Sequence, residues 1–138
     1  MISVLYVDAD AGLRREVAAF LGSDPEIRVV VLASAYEALD LLRERRFDVI
    51  VSESSLSVTA GVTFLEVLRR VRRDSTPFIF FAKKSTHADA IEALNMGVTF
   101  YLLKGNDPRL RFSILRHYIL QACEQHRIRE ALVQSEKP

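Results

Sequence analysis

Apolar residues recur along this chain in two alternating rhythms. Five short runs, Ser3–Val7, Ile27–Ala33, Val49–Ser52, Phe78–Ala82 and Phe100–Leu103, are almost wholly apolar. Continuous runs of this length suit strands covered on both faces, the situation in a parallel sheet packed between layers of helices. The segments between them carry helical spacing. Leu13, Val17, Phe20 and Leu21 stand at i, i+4, i+7 and i+8 with Arg14, Arg15 and Glu16 turned outward, which predicts an amphipathic first helix closed by Gly22 in a left-handed conformation. Ser34 followed three residues later by Glu37 predicts the capped start of a second helix carrying Leu39 and Leu42. Phe64, Leu65, Leu68 and Val71 mark a third stripe, and Ile91 and Leu94 ahead of Gly97 a short fourth helix. Asp107 as N-cap and Pro108 at the first helical position open a fifth, whose apolar face reads through Leu110, Ile114 and Tyr118. From Gln121 the pattern turns polar, with Ile128 and Leu132 the main large apolar pair left, so this portion is expected to project past the domain.

Strand and helix alternating five times predict a doubly wound α/β sheet with right-handed crossovers. A flavodoxin-like strand order fits, as do other small α/β orders, and in all of them ligands sit at the carboxyl ends of the strands. That rule directs attention to Asp8 to Asp10, Glu53 to Leu56, Ala82 to Lys84, and Lys104 with Gly105.

Composition narrows the choice of function. With 138 residues, 49% of them hydrophobic, the chain suits one domain with one core. Nineteen basic and eighteen acidic residues leave a net charge of +1, which gives no bulk attraction to nucleic acid or membrane. A single cysteine, Cys123, excludes an internal disulfide and a Cys-rich zinc site, and a reducing cytoplasm is the expected location. The apolar N-terminus lacks a basic lead-in and meets Asp8 at once, so it reads as a buried strand, not as a signal peptide or membrane span. His87, His117 and His126 share no metal-ligand spacing. Arg69, Arg70, Arg72 and Arg73 read as a solvated helix end favoured by the helix dipole.

Three carboxylates, Asp8, Asp10 and Glu53, and one lysine, Lys104, gather at the expected ligand edge. Such oxygen-rich clusters hold magnesium, and magnesium with a lysine steadies a phosphoryl group in transfer. The plainer reading is a rim of solvated loop carboxylates.

Four segments carry a family resemblance: Val4-Leu5-Tyr6-Val7-Asp8, Phe47-Asp48-Val49-Ile50-Val51-Ser52-Glu53, the pair Ala60-Gly61, and Gly97-Val98-Thr99-Phe100-Tyr101-Leu102-Leu103-Lys104. In order and spacing they resemble the signature segments of response-regulator receiver domains, over about residues 2 to 122. The resemblance implies a five-stranded parallel sheet of order 2-1-3-4-5, with residues 1–122 as the receiver-like domain and 123–138 as an extended helical tail. That tail is similar to the connector between an N-terminal receiver and a following PAS or kinase module, as in hybrid sensor histidine kinases.

Carried over residue by residue, the family's site is depleted. The second acid of its metal-binding pair is Ala9, with Asp10 one step further on; the phospho-acceptor aspartate is Glu53; and the phosphate-sensing hydroxyl is Ala82. The switch aromatic, Tyr101, and the lysine, Lys104, are kept. Glutamate sets its carboxylate about one methylene further out, which disturbs the geometry of in-line transfer. Gly105 stands where the family has a cis proline; because a cis bond before a non-proline residue costs roughly 3 kcal/mol, Lys104-Gly105 is expected to be trans. The combination implies a pseudo-receiver that is not itself an enzyme, takes no cofactor, has at most a weak magnesium site at Asp8, Asp10 and Glu53, and holds Glu53 against Lys104 by an ion pair or a bridging water. Its expected partner is a sensor kinase or another signalling domain, with homodimerisation through the fourth helix, fifth strand and fifth helix or through the tail. The alternatives are a magnesium-dependent receiver with residual phosphotransfer and a small-ligand or nucleotide-binding α/β domain.

Overall fold

A computed structural model of the chain describes residues 1–53, 57–59, 62–84 and 87–136, and all of their side chains except those of 57–59 and 62. The elements run β1 (Ile2–Val7), α1 (Ala11–Gly22), β2 (Ile27–Leu32), α2 (Ala35–Leu41), β3 (Val49–Ser52), β4 (Ser57–Thr59), β5 (Val62–Thr63), α3 (Phe64–Glu66), a π-helical turn (Val67–Val71), β6 (Phe78–Ala82), α4 (His87–Asn95), β7 (Phe100–Leu103) and α5 (Pro108–Glu136). Five strands form one parallel sheet in the order β2-β1-β3-β6-β7, the expected doubly wound, flavodoxin-like arrangement. All five predicted strands are present within a residue or so of their expected bounds. The antiparallel ribbon β4–β5, pairing Ser57 with Thr63, was not foreseen.

Alternation along β1 divides the core. Val4 and Tyr6 face Leu13, Val17 and Leu21 of α1 and Phe112, Leu115 and Ile119 of α5. Leu5 and Val7 face Ala38 and Leu39 of α2, Phe64 of α3, Leu68 of the π-helical turn and Ala93 of α4. Successive strand side chains point to opposite faces, so a strand covered by helices on both sides must be apolar throughout.

Both expected caps form. Ser34 Oγ accepts from Glu37 N at 3.2 Å, and Glu37 Oε2 accepts in return from Ala33 N at 3.0 Å. Asp107 Oδ1 accepts from Arg109 N at 3.0 Å, with Pro108 opening α5. Gly22 does not close α1 in a left-handed conformation; the helix ends at Ser23, whose N–H donates to Ala19 O, and left-handed glycines occur instead at Gly97 (φ 89°) and Gly105 (φ 66°).

Three apolar stripes are rotated from their expected positions. Arg72 N bonds Val67 O, five residues back, and this widened turn takes Val71 off the buried face to 73% exposure. On α4 the buried residue is the small Ala93, while Ile91 and Leu94 face outward. On α5 the buried line is Phe112, Leu115, Ile119 and Ala122; Leu110 and Ile114 lie exposed beside it, and Tyr118 packs partly against Phe100. The arginine run is also less solvated than expected. Arg69 donates to Gly97 O and Asp74 O, and Arg72 to Leu39 O, so two of the four tie loops together. Beyond Cys123 the α5 residues through Glu136 are exposed except for half-buried His126, matching the expected projection. The pair Ala60-Gly61, residues 54–56 and the last two residues of the tail lie outside the described residues.

Candidate functional site

The carboxyl ends of β1, β6 and β7 bring one carboxylate, one ammonium and one phenol together. Asp8 follows β1 directly and is 0% exposed; Lys104 follows β7 and is 3% exposed. Lys104 Nζ donates to Asp8 Oδ2 at 3.0 Å, and the Tyr6 hydroxyl donates to the same oxygen at 2.8 Å. The other oxygen, Oδ1, accepts from Asp10 N at 2.9 Å. Both oxygens are therefore engaged from within the chain. A buried carboxylate is costly unless paired and hydrogen-bonded, and this one is both. Phe81 adds its ring face, with the Lys104 ammonium 5.8 Å from the centroid. Burial first, then the charge and hydrogen bond of Asp8, hold the Tyr6 phenol well above its ordinary pKa.

Two arginines set the backbone around this network. Arg14 Nη1 donates to Asp8 O at 2.8 Å, so a residue expected to point outward turns back to the site. Arg111 clasps the next loop, with Nε donating to Lys104 O at 2.9 Å and Nη2 to Gly105 O at 2.8 Å. The Lys104–Gly105 bond is trans, as expected, and Gly105 sits at φ 66°, a value closed to proline.

The remaining predicted residues take separate places. Asp10 is the N-cap of α1, with Oδ1 accepting from Leu13 N at 3.1 Å and Oδ2 3.8 Å from Lys83 Nζ. The hydrogen bond from the Leu13 backbone is the main cause holding its carboxyl below the usual range. Glu53 is half-buried, its N–H donating to Val7 O at 3.1 Å. The expected direct ion pair between Glu53 and Lys104 is not formed; the ammonium goes to Asp8, whose complete enclosure makes neutralisation there the stronger demand. Ala82 is buried at the end of β6, and Tyr101 packs edge-on against Phe80 at 5.8 Å.

Two of the three carboxylates expected to hold magnesium are engaged within the chain. Asp8 Oδ2 already carries an ammonium and a phenol, Ala9 offers no ligand, and Asp10 Oδ1 is committed to the helix start. Among the described residues no three His, Cys, Asp or Glu side chains gather as metal ligands. Reading the sequence missed Tyr6, Arg14 and Arg111. Tyr6 had a signal: it is the one aromatic side chain within β1, it carries a hydroxyl, and it stands two residues before Asp8 and therefore on the same face.

The strand order, with an acid–lysine pair at the carboxyl edge, defines a doubly wound α/β domain with a charged pair where ligands of such sheets sit. The model of the family described as response regulator receiver domain matches residues 4–115, and the chain belongs to that family. The chain is 31% identical over 119 residues to the response regulator Rre1 of Synechocystis sp., covering 86% of this chain and 52% of that protein. It is 32% identical over 109 residues to protein-glutamate methylesterase/protein-glutamine glutaminase 1 of Myxococcus xanthus, covering 78% of this chain and 31% of that one. The chain thus spans about half the length of these curated relatives, or less. Among solved structures, the receiver domain of Francisella response regulator 1452 aligns with a TM-score of 0.76 at 22% identity, covering 91% of this chain and 99% of that one. The chemotaxis response regulator CheY4 of Vibrio cholerae aligns with a TM-score of 0.69 at 27% identity, covering 85% and 98%.

Proposed function

We propose that this receiver domain is a pseudo-receiver: it works in two-component signalling by binding another protein and does not turn over phosphoryl groups. One observation carries the reading. One oxygen of Asp8, Oδ2, is shared by the Tyr6 hydroxyl and the Lys104 ammonium, both enclosed with it. Lys104 is thereby spent on a fixed internal charge, and an incoming cation would have to displace it. Glu53 and Ala82 add to this, the first by lengthening the acceptor, the second by offering no hydroxyl to a phosphoryl group.

The partner we favour is a sensor kinase or another signalling domain. Leu94 of α4, Leu103 of β7 and Leu110 of α5 are large apolar side chains left exposed on three consecutive elements, and a protein surface or a second copy of the chain would cover them. The exposed α5 extension suits a connector to a kinase or PAS module, the context in which we place the domain.

Incubation with magnesium and acetyl phosphate, followed by intact mass measurement, is expected to leave the mass unchanged. A stoichiometric, base-labile phosphoryl adduct at Glu53 or Asp8 would overturn the proposal and favour a magnesium-dependent receiver with residual phosphotransfer.

A further inference from the structure

The opposite edge of the sheet carries a second charged site with the reverse character. The loop between α2 and β3 and the loop between the π turn and β6 enclose a cleft of about 660 Å³ lined by Arg43, Arg45, Arg46, Arg72 and Arg73, with His126 reaching it from the α5 extension. None of these five guanidiniums is in an ion pair among the described residues. The one acid in the lining, Asp74, has Oδ1 occupied by Thr76, from its N–H at 2.9 Å and its hydroxyl at 2.6 Å. Glu44 shares the first loop but is not part of the lining.

Two of the arginines are held in place. Arg72 is anchored by Nη1 to Leu39 O at 2.9 Å, which leaves its remaining N–H groups available, and Arg45 stacks over the Phe47 ring at 5.0 Å. Five guanidiniums lining one cleft beside a single carboxylate repel one another, so the arrangement is favourable with an anion among them. Guanidinium forks match phosphate oxygens bidentately, and a cleft of this size is in the range of small-molecule sites. The lining is concave and confined to two loops and one histidine, whereas a nucleic acid is met by a long basic stripe.

We infer that this cleft binds a small polyphosphate anion, either an inorganic chain or the phosphate tail of a nucleotide, and that the bound anion ties the α5 extension to the base of the sheet through His126. The proposal is independent of the pseudo-receiver reading, since it uses no residue of that site.

Tripolyphosphate titrated into the full chain without magnesium, followed by NMR, is expected to saturate and to move the His126 ring signals while those of His87 on α4 stay. The exposed pair Arg43→Ala/Arg46→Ala should weaken binding roughly tenfold or more. Removing the same charge elsewhere, as Arg15→Ala/Arg109→Ala, should change it less than about twofold. A nucleoside triphosphate binding more tightly than tripolyphosphate assigns the nucleotide source, and equal binding assigns the phosphates alone. The inference fails if titration does not saturate, if both double variants weaken binding equally, or if only duplex DNA or phosphatidylglycerol vesicles bind.

Discussion

The two ends of the sheet hold charge in opposite ways. At the carboxyl edge Asp8, Lys104 and Tyr6 are buried and satisfy one another; at the amino edge five arginines line an open cleft, and none of them is in an ion pair among the described residues. The contrast shows that density of charge does not make a binding site. What differs is the capacity left over after internal pairing: Asp8, Lys104 and Tyr6 have used their donors and acceptors on one another, and the five arginines have made no ion pair among the described residues.

The largest expected effect tests whether the carboxyl edge is sealed. Lys104→Met leaves Asp8 buried without a counter-charge and should cost about 3–5 kcal/mol in urea unfolding. A loss below about 1 kcal/mol would mean that water reaches Asp8 and that the two ends differ less than described. Tyr6→Phe removes a hydrogen bond to a charged oxygen and should cost about 2 kcal/mol. It carries a pH signature as well. Tyr6 stays protonated in the folded protein above its ordinary value near 10, while the unfolded chain releases that proton. Its contribution is therefore complete below about pH 10 and is lost as the pH rises further; Tyr6→Phe should flatten this alkaline decline in stability.

Gly105→Ala separates shape from charge at the same edge. At φ 66° an added Cβ meets no neighbouring atom, so the cost is backbone strain alone, about 1 kcal/mol in thermal unfolding. The smallest effect belongs to the other end. Arg46→Ala should change unfolding stability by no more than about 0.5 kcal/mol, because the side chain is exposed and has no ion pair among the described residues. A larger loss would show that the arginine cleft is part of the scaffold.

The sheet was legible because its five strands are unbroken apolar runs, and the starts of α2 and α5 because Ser34 and Asp107 have short side chains suited to capping. Position in the site was legible too: Asp8 and Lys104 stand directly after strands. Pairing was not. Asp8, Asp10 and Glu53 are all carboxylates near one lysine in sequence terms, and only three-dimensional enclosure, complete at Asp8 and partial at Glu53, decides which receives the ammonium. The buried line of α5 was ambiguous for a related reason. Leu110, Ile114 and Tyr118 and the chosen Phe112, Leu115 and Ile119 are both apolar at helical spacing, and the sheet they meet breaks the tie. The turn at Val67–Val71 leaves no mark in a pattern of apolar positions, since a wider helix begins with the same residues.

Helix α5 is a single member of 29 residues, about 43 Å from end to end. Arg111 fastens it beside Lys104, its core contacts end at Cys123, and the rest is cantilevered past the arginine cleft. A sideways load on the free stretch is levered about Cys123 onto the packed stretch from Phe112 to Ala122. The helix makes the domain a beam fixed along the sheet and free beyond it.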